Sequence, residues 1–74
     1  MKIHKRSSHP KALTHESPFS VDVLIWDGYD FLVGYYSFEE RKWKTNGREI
    51  QGDFVWIYPP FSKMKEVFNR IIEK

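Results

Sequence analysis

The sequence predicts an α+β domain: a strongly bent antiparallel sheet of four or five strands, with one C-terminal amphipathic helix at residues 62–73 packed on one face. Three observations carry this. Asp27-Gly28 and Asn46-Gly47 each interrupt a stretch rich in β-branched and aromatic residues, the pattern of hairpins closed by tight turns. A third apolar run, Phe54–Tyr58, ends at Pro59-Pro60, and proline cannot donate to a strand ladder. Beyond the prolines, Met64, Val67, Phe68, Ile71 and Ile72 recur at helical spacing, with Lys63, Lys65, Glu66, Asn69, Arg70 and Glu73 opposite them.

Residues 1–18 show no period of 2 or 3.6 and are broken by Pro10 and Pro18; they read as a flexible basic arm. A short extended piece is expected near Ala12-Leu13-Thr14, before a Ser17-Pro18 turn. The single folded domain is residues 19–74. Val21–Trp26 and Tyr29–Ser37 form the first hairpin across Asp27-Gly28. A two-residue turn sets Trp26 opposite Tyr29 and Leu24 opposite Phe31. One face then carries Leu24, Trp26, Tyr29, Phe31, Val33 and Tyr35. The other carries Val21, Val23, Ile25, Leu32 and Tyr36, with Gly34 leaving a gap in the side-chain layer. Glu39-Glu40-Arg41 is a charged connection. Lys42–Thr45 and Arg48–Gln51 form a short, polar second hairpin, Trp43 inward and Lys42 and Lys44 outward, suited to a guarded edge. In the last strand Phe54, Trp56 and Tyr58 point one way, Val55 and Ile57 the other. Ser62 is the expected N-cap of the helix. Both faces of the first hairpin and of the last strand are apolar, and a partly rolled, small-barrel-like sheet would accommodate that.

The chain has 74 residues, no cysteine and 18% aromatic residues. Disulfides and thiolate-metal sites are therefore excluded, and aromatic rings must supply much of the core. No apolar run approaches membrane-spanning length, and the start Met1-Lys2-Ile3-His4-Lys5-Arg6 lacks the apolar segment of a secretory signal, so a cytoplasmic setting is expected. Net charge is +2, but unevenly placed. Residues 1–20 hold four cations against one carboxylate; residues 21–74 hold eight Lys/Arg against nine Asp/Glu. The basic excess thus belongs to the arm.

The string Val23-Leu24-Ile25-Trp26-Asp27-Gly28, followed by Val33-Gly34-Tyr35-Tyr36, Trp43, Phe54-Val55-Trp56 and Pro59-Pro60, resembles the domain-of-unknown-function family 551 of bacteria and phages. The resemblance covers roughly residues 15–60 and rests on core-forming motifs. It departs where members carry His before the late Trp, here Val55, and where they open with a Trp and a Ser-Glu-x-x-Pro-like stretch, here Thr14-His15-Glu16-Ser17-Pro18. The C-terminal helix is an addition to the usual short form. The resemblance implies a small β domain encoded in mobile or phage-derived DNA, with no catalytic residue or cofactor to carry over.

The functional classes narrow accordingly. No nucleophile elbow and no glycine-rich phosphate loop is present, so no catalytic residue and no cofactor is assigned and the chain is read as a non-enzyme. His4, His9 and His15 lack zinc-site spacing. Asp27 and Asp30 flank a turn and serve it as turn formers. The reading is a non-catalytic interaction domain that binds a protein partner or a second copy of itself, with Trp26, Tyr29, Phe31, Tyr35 and Trp43 as candidate partner surface. Trp26, Tyr29, Phe31 and Tyr35 equally suit a core, and a short chain without disulfides favours that use. The alternative is nucleic-acid binding, with the basic arm steering and the Trp43 region stacking on bases.

Overall fold

The computed structural model describes residues 2–73; Met1 and Lys74, the outer ends of the expected arm and domain, lie outside the described residues. Among the described residues six strands form one antiparallel sheet: β1 (His4–Lys5), β2 (Val23–Trp26), β3 (Phe31–Ser37), β4 (Lys42–Thr45), β5 (Arg48–Glu49) and β6 (Val55–Ile57). A helix, α1 (Phe61–Ile72), follows. The spatial order is β1-β6-β2-β3-β4-β5. This is the expected α+β architecture with six strands rather than four or five. The sixth strand comes from the segment read as a flexible arm.

The cause lies in two indoles. Trp43 and Trp56 are 3% and 1% exposed, and a buried indole N–H needs an acceptor. Trp56 Nε1 donates to the carbonyls of Lys5 and Ser8, both at 3.0 Å, and Trp43 Nε1 donates to the carbonyl of Arg6 at 3.1 Å. The N-terminal segment supplies these acceptors while His4 and Lys5 pair with Trp56 and Val55 of β6. Further along, Ala12 bridges Ser20, and Leu13 N–H donates to the Phe19 carbonyl at 2.9 Å, so the extended piece expected near Ala12 is present.

The first hairpin corrects the expected turn. Trp26 pairs with Phe31 and Leu24 with Val33, which leaves Asp27–Asp30 as a four-residue loop rather than a two-residue type I′ turn. The Asp27 carboxylate accepts the backbone N–H groups of Tyr29 and Asp30, each at 2.8 Å, and this Asx-type geometry outcompetes the tighter turn. The register moves by two residues, an even number, so the paired residues keep the faces the sequence assigned them, while Tyr29, expected opposite Trp26, falls in the loop instead. The second hairpin does close in two residues: Thr45 pairs with Arg48, and Asn46 and Gly47 both take positive φ, 50° and 77°.

The sheet bends at Gly34. β3 pairs with β2 through Gly34 and with β4 from Tyr35 onward. On the flank that β2 leaves, Pro18–Ser20 takes over: Ser20 N–H donates to the Tyr36 carbonyl at 2.9 Å and Phe38 N–H to that of Pro18 at 2.8 Å. A Cβ at Gly34 would lie 2.7 Å from Ile25 Cδ1 and 2.9 Å from the Lys44 carbonyl oxygen. The missing side chain therefore lets the sheet curl toward the face on which Val23, Ile25 and Tyr36 lie. There Val23, Ile25, Tyr36, Trp43, Ile50, Phe54 and Trp56 make the core. Trp43 packs edge-on to Phe54 and tilted to Trp56, with ring centroids 5.0 and 5.8 Å apart.

Helix α1 departs most from expectation. It contains no buried residue and touches no strand, where the sequence predicts a helix packed on the sheet. It starts at Phe61 with Pro60 in the N-cap position and no side-chain cap, so Ser62 lies inside the first turn. Pro60, at φ −80° and ψ 61°, forms an inverse γ-turn in which Phe61 N–H donates to the Pro59 carbonyl at 2.9 Å. The chain leaves the sheet at this proline joint, and α1 runs on without contact to a strand.

Candidate interaction surface

The curl closes one face of the sheet and leaves the other open. Alternation puts Leu24 and Trp26 of β2 on the outer face, with Phe31 and Val33 of β3 on one side and Val55 and Ile57 of β6 on the other. The pairings Ile57–Leu24–Val33 and Val55–Trp26–Phe31 form two apolar rows across three strands. Trp26 and Phe31 contact each other with ring centroids 4.7 Å apart. Trp26 is 38% exposed and Phe31 67%. An open groove of about 330 Å³ lies on this face, lined by Leu24, Trp26, Phe31, Val55, Trp56 and Ile57 together with Ile3. None of those side chains is charged.

The five candidate residues therefore separate. Trp26 and Phe31 meet on the outer face. Tyr35 continues the β3 row beyond Val33, half-buried and edge-on to Phe19 at 5.5 Å. Tyr29 leaves the sheet at the loop tip, 87% exposed. Trp43 belongs to the core, which corrects its assignment to a partner surface: its ring is enclosed by Tyr36, Phe54 and Trp56. The converse correction applies to Trp26, Tyr29 and Phe31, which the disulfide-free composition favours as core. Trp26 and Phe31 are exposed because the sheet curls away from them, and Tyr29 because it lies in the loop outside the sheet. The sequence set Val33 on the face of Leu24, Trp26 and Phe31 but named neither it nor Val55, Ile57 and Ile3 as partner surface; the parity of Val55 and Ile57 was readable, but their alignment with Leu24 and Trp26 required the β2–β6 pairing.

A second exposed apolar surface is the stripe of α1. Met64, Val67, Phe68, Ile71 and Ile72 are between 38% and 79% exposed. The opposite side carries Lys63, Lys65, Glu66 and Arg70, with Arg70 paired to Glu66 one turn earlier.

The polar candidates have structural occupations. Asp27, held by the N–H groups of Asp30 and Tyr29, has its carboxyl kept below the usual carboxylate range. Glu40 and Lys44 form an ion pair in which the hydrogen bond lowers the Glu40 pKa and raises that of Lys44. His4 stacks on Trp56 at 4.3 Å and His9 on Tyr36 at 3.8 Å, so the two rings serve different aromatic neighbours. Among the described residues no group of three His, Asp or Glu is placed to hold a metal ion. Among them, too, no helix is long and apolar enough to cross a membrane.

The N-terminal segment and the second hairpin also meet. Lys5, Arg6, Arg41 and Lys42 line one open cleft of about 490 Å³, together with Glu49 and Asp53. Arg6 is committed within it: its guanidinium donates to the Gly52 carbonyl and lies 5.2 Å over the Phe54 ring. Lys42 faces Glu49 at 3.5 Å.

No family model, curated protein or solved structure matches this chain.

Proposed function

We propose that this chain is a small non-catalytic interaction domain that binds a protein, a partner or a second copy of itself, through the outer face of its sheet. The observation that carries the reading is the uncharged, open surface of Leu24, Trp26, Phe31, Val33, Val55 and Ile57 over an already closed core. Contiguous apolar surface of this kind commonly serves association. A cytoplasmic setting accords with the absence of cysteine. Membership of the domain-of-unknown-function family 551, with its bacterial or phage setting, is a further proposal resting on the string Val23–Gly28, Val33–Tyr36, Trp43 and Phe54–Trp56.

The test uses Trp26 as reporter, because Trp43 and Trp56 are shielded from solvent. The chain is titrated with an amphipathic Leu/Lys helical peptide while its mass is followed by sedimentation. Self-association, or a blue shift of Trp26 emission with peptide, abolished in either case by Phe31→Glu, supports the reading. A chain that stays monomeric and gives no response to peptide rejects it.

The alternative, nucleic-acid binding, is favoured by one observation: the basic segment and the second hairpin share a cleft. Its stacking residue, however, is enclosed, and Glu49 and Asp53 oppose the cations. If all four cations met phosphates on a single strand, log K would fall with log salt at a slope of about −3. Retention of an oligonucleotide at low salt with that slope supports the alternative; no retention at low salt rejects it.

A further inference from the structure

We infer that α1 and the outer face of the sheet are the two halves of one self-complementary contact: two copies pair, each laying its α1 stripe across the outer face of the other. The inference rests on the interaction-surface reading and names the partner.

Both halves lack cover in a single chain. A helix of twelve residues is marginal in water unless its apolar side is packed. Yet α1 touches no strand and buries no residue, and it is joined to the sheet through the inverse γ-turn at Pro60. The two rows Ile57–Leu24–Val33 and Val55–Trp26–Phe31 are uncharged, and the stripe consists of Met64, Val67, Phe68, Ile71 and Ile72, so the stripe laid on these rows would bury no charge.

The dimensions agree. Three strands span roughly 10 Å, the width of one α-helix with its side chains. The stripe from Met64 to Ile72 is about 12 Å long, and the outward row Phe31, Val33, Tyr35 is about 13 Å, its last residue lying beyond the bend at Gly34 and beside Lys44.

The surface area points the same way. The chain exposes 6015 Å², whereas a compact monomer of 9.0 kDa is expected to expose about 4,900 Å². Its radius of gyration is 13.5 Å against about 11 Å for a compact domain of this length. The excess is roughly 1,100 Å² per chain, so its removal in a two-fold pair would bury about 2,200 Å², within the range of obligate homodimers. Helix and acceptor face are on the same chain, so a two-fold arrangement makes the contact twice and closes the pair.

Sedimentation equilibrium of the full chain is expected to give twice the 9.0 kDa chain mass. Phe68→Glu on the stripe and Phe31→Glu on the sheet should each raise the dissociation constant at least about tenfold. An equimolar mixture of the two variants should then form mixed dimers, because one intact helix and one intact face remain in each pair. Wild type at one-chain mass overturns the inference, as does a wild-type dimer whose two variants fail to complement. Acrylamide quenching separates this failure from that of the broader reading. A monomer with Trp26 accessible removes the dimer and leaves the outer face open to another protein. A monomer with Trp26 shielded removes both, since α1 would then cover its own sheet.

Discussion

The two faces of strand β2 are built from similar residues and have opposite fates. Val23 and Ile25 are completely buried, while Trp26, the largest apolar residue of the strand, remains 38% exposed. Hydrophobicity alone would have buried the tryptophan. What decides is curvature: Gly34 is opposite Val23, on the face of Ile25 and Tyr36, and only there can the Lys44 carbonyl come close enough for the sheet to fold over. The curled face then collects Trp43, Phe54 and Trp56, and the indole N–H groups draw in the N-terminal segment. A strand with two apolar faces therefore has a core face and a face available for association, and the smaller residue on the neighbouring strand selects which is which.

The largest effect that could break this comparison is at Trp56. Trp56→Ala removes the largest fully buried side chain and its bonds to Lys5 and Ser8, and should cost about 3–5 kcal/mol in urea unfolding. A domain of this size has roughly 4–11 kcal/mol in total, so the variant is expected to be close to unfolding. By contrast, Phe31→Ser on the outer face, which loses the cross-strand contact with Trp26, should change monomer stability by no more than about 1 kcal/mol, measured at concentrations too low for association. Similar losses at both positions would abolish the distinction between the faces.

Gly34→Ala sharpens the cause. Its Cβ would meet the Lys44 carbonyl, which is backbone and cannot swing aside, and the Ile25 methyl, which can. A loss of about 1–3 kcal/mol is expected. Combining it with Ile25→Val should recover part of that loss, a coupling of at least about 0.5 kcal/mol between two touching residues. A neutral Gly34→Ala would show that the bend has another origin.

Much of this organisation was legible in the sequence, and what was not has a common physical reason. The second hairpin could be read because Asn46-Gly47 fixes its own turn through positive φ, a local property. The faces of the first hairpin survived a wrong turn length because a shift of two residues preserves side-chain parity. Gly34 was visible as a gap in the side-chain layer, but its consequence depended on Lys44, ten positions later. The acceptors for Trp43 and Trp56 lie 37 and 51 residues away in sequence, in Arg6 and Lys5, and backbone carbonyls carry no residue signature. The undocked helix shows the limit most clearly. The spacing of Met64 to Ile72 specifies an apolar stripe, but the stripe alone cannot say whether its cover comes from the same chain.

The smallest expected effect concerns the Asp27–Asp30 loop that ends the outer face. The carboxylate of Asp27 is held below its ordinary value of 3.8 by the N–H groups of Asp30 and Tyr29. A carboxylate with a lowered folded-state pKa stabilises the fold above the unfolded value, and that contribution is lost as pH falls through the folded value. The loop should therefore be ordered at neutral pH and loosen only in acid below 3.8. In a pH titration followed by amide NMR, the Tyr29 and Asp30 resonances should move together with the Asp27 carboxyl, while those of Asn46 and Gly47 at the other turn stay fixed. Asp27→Asn keeps one oxygen acceptor and removes the titration, so its loop should resemble wild type at neutral pH and lose the acid transition. Wild-type amides that do not move in acid would mean that the four-residue loop is held by backbone geometry alone, and that Asp27 did not displace the two-residue turn.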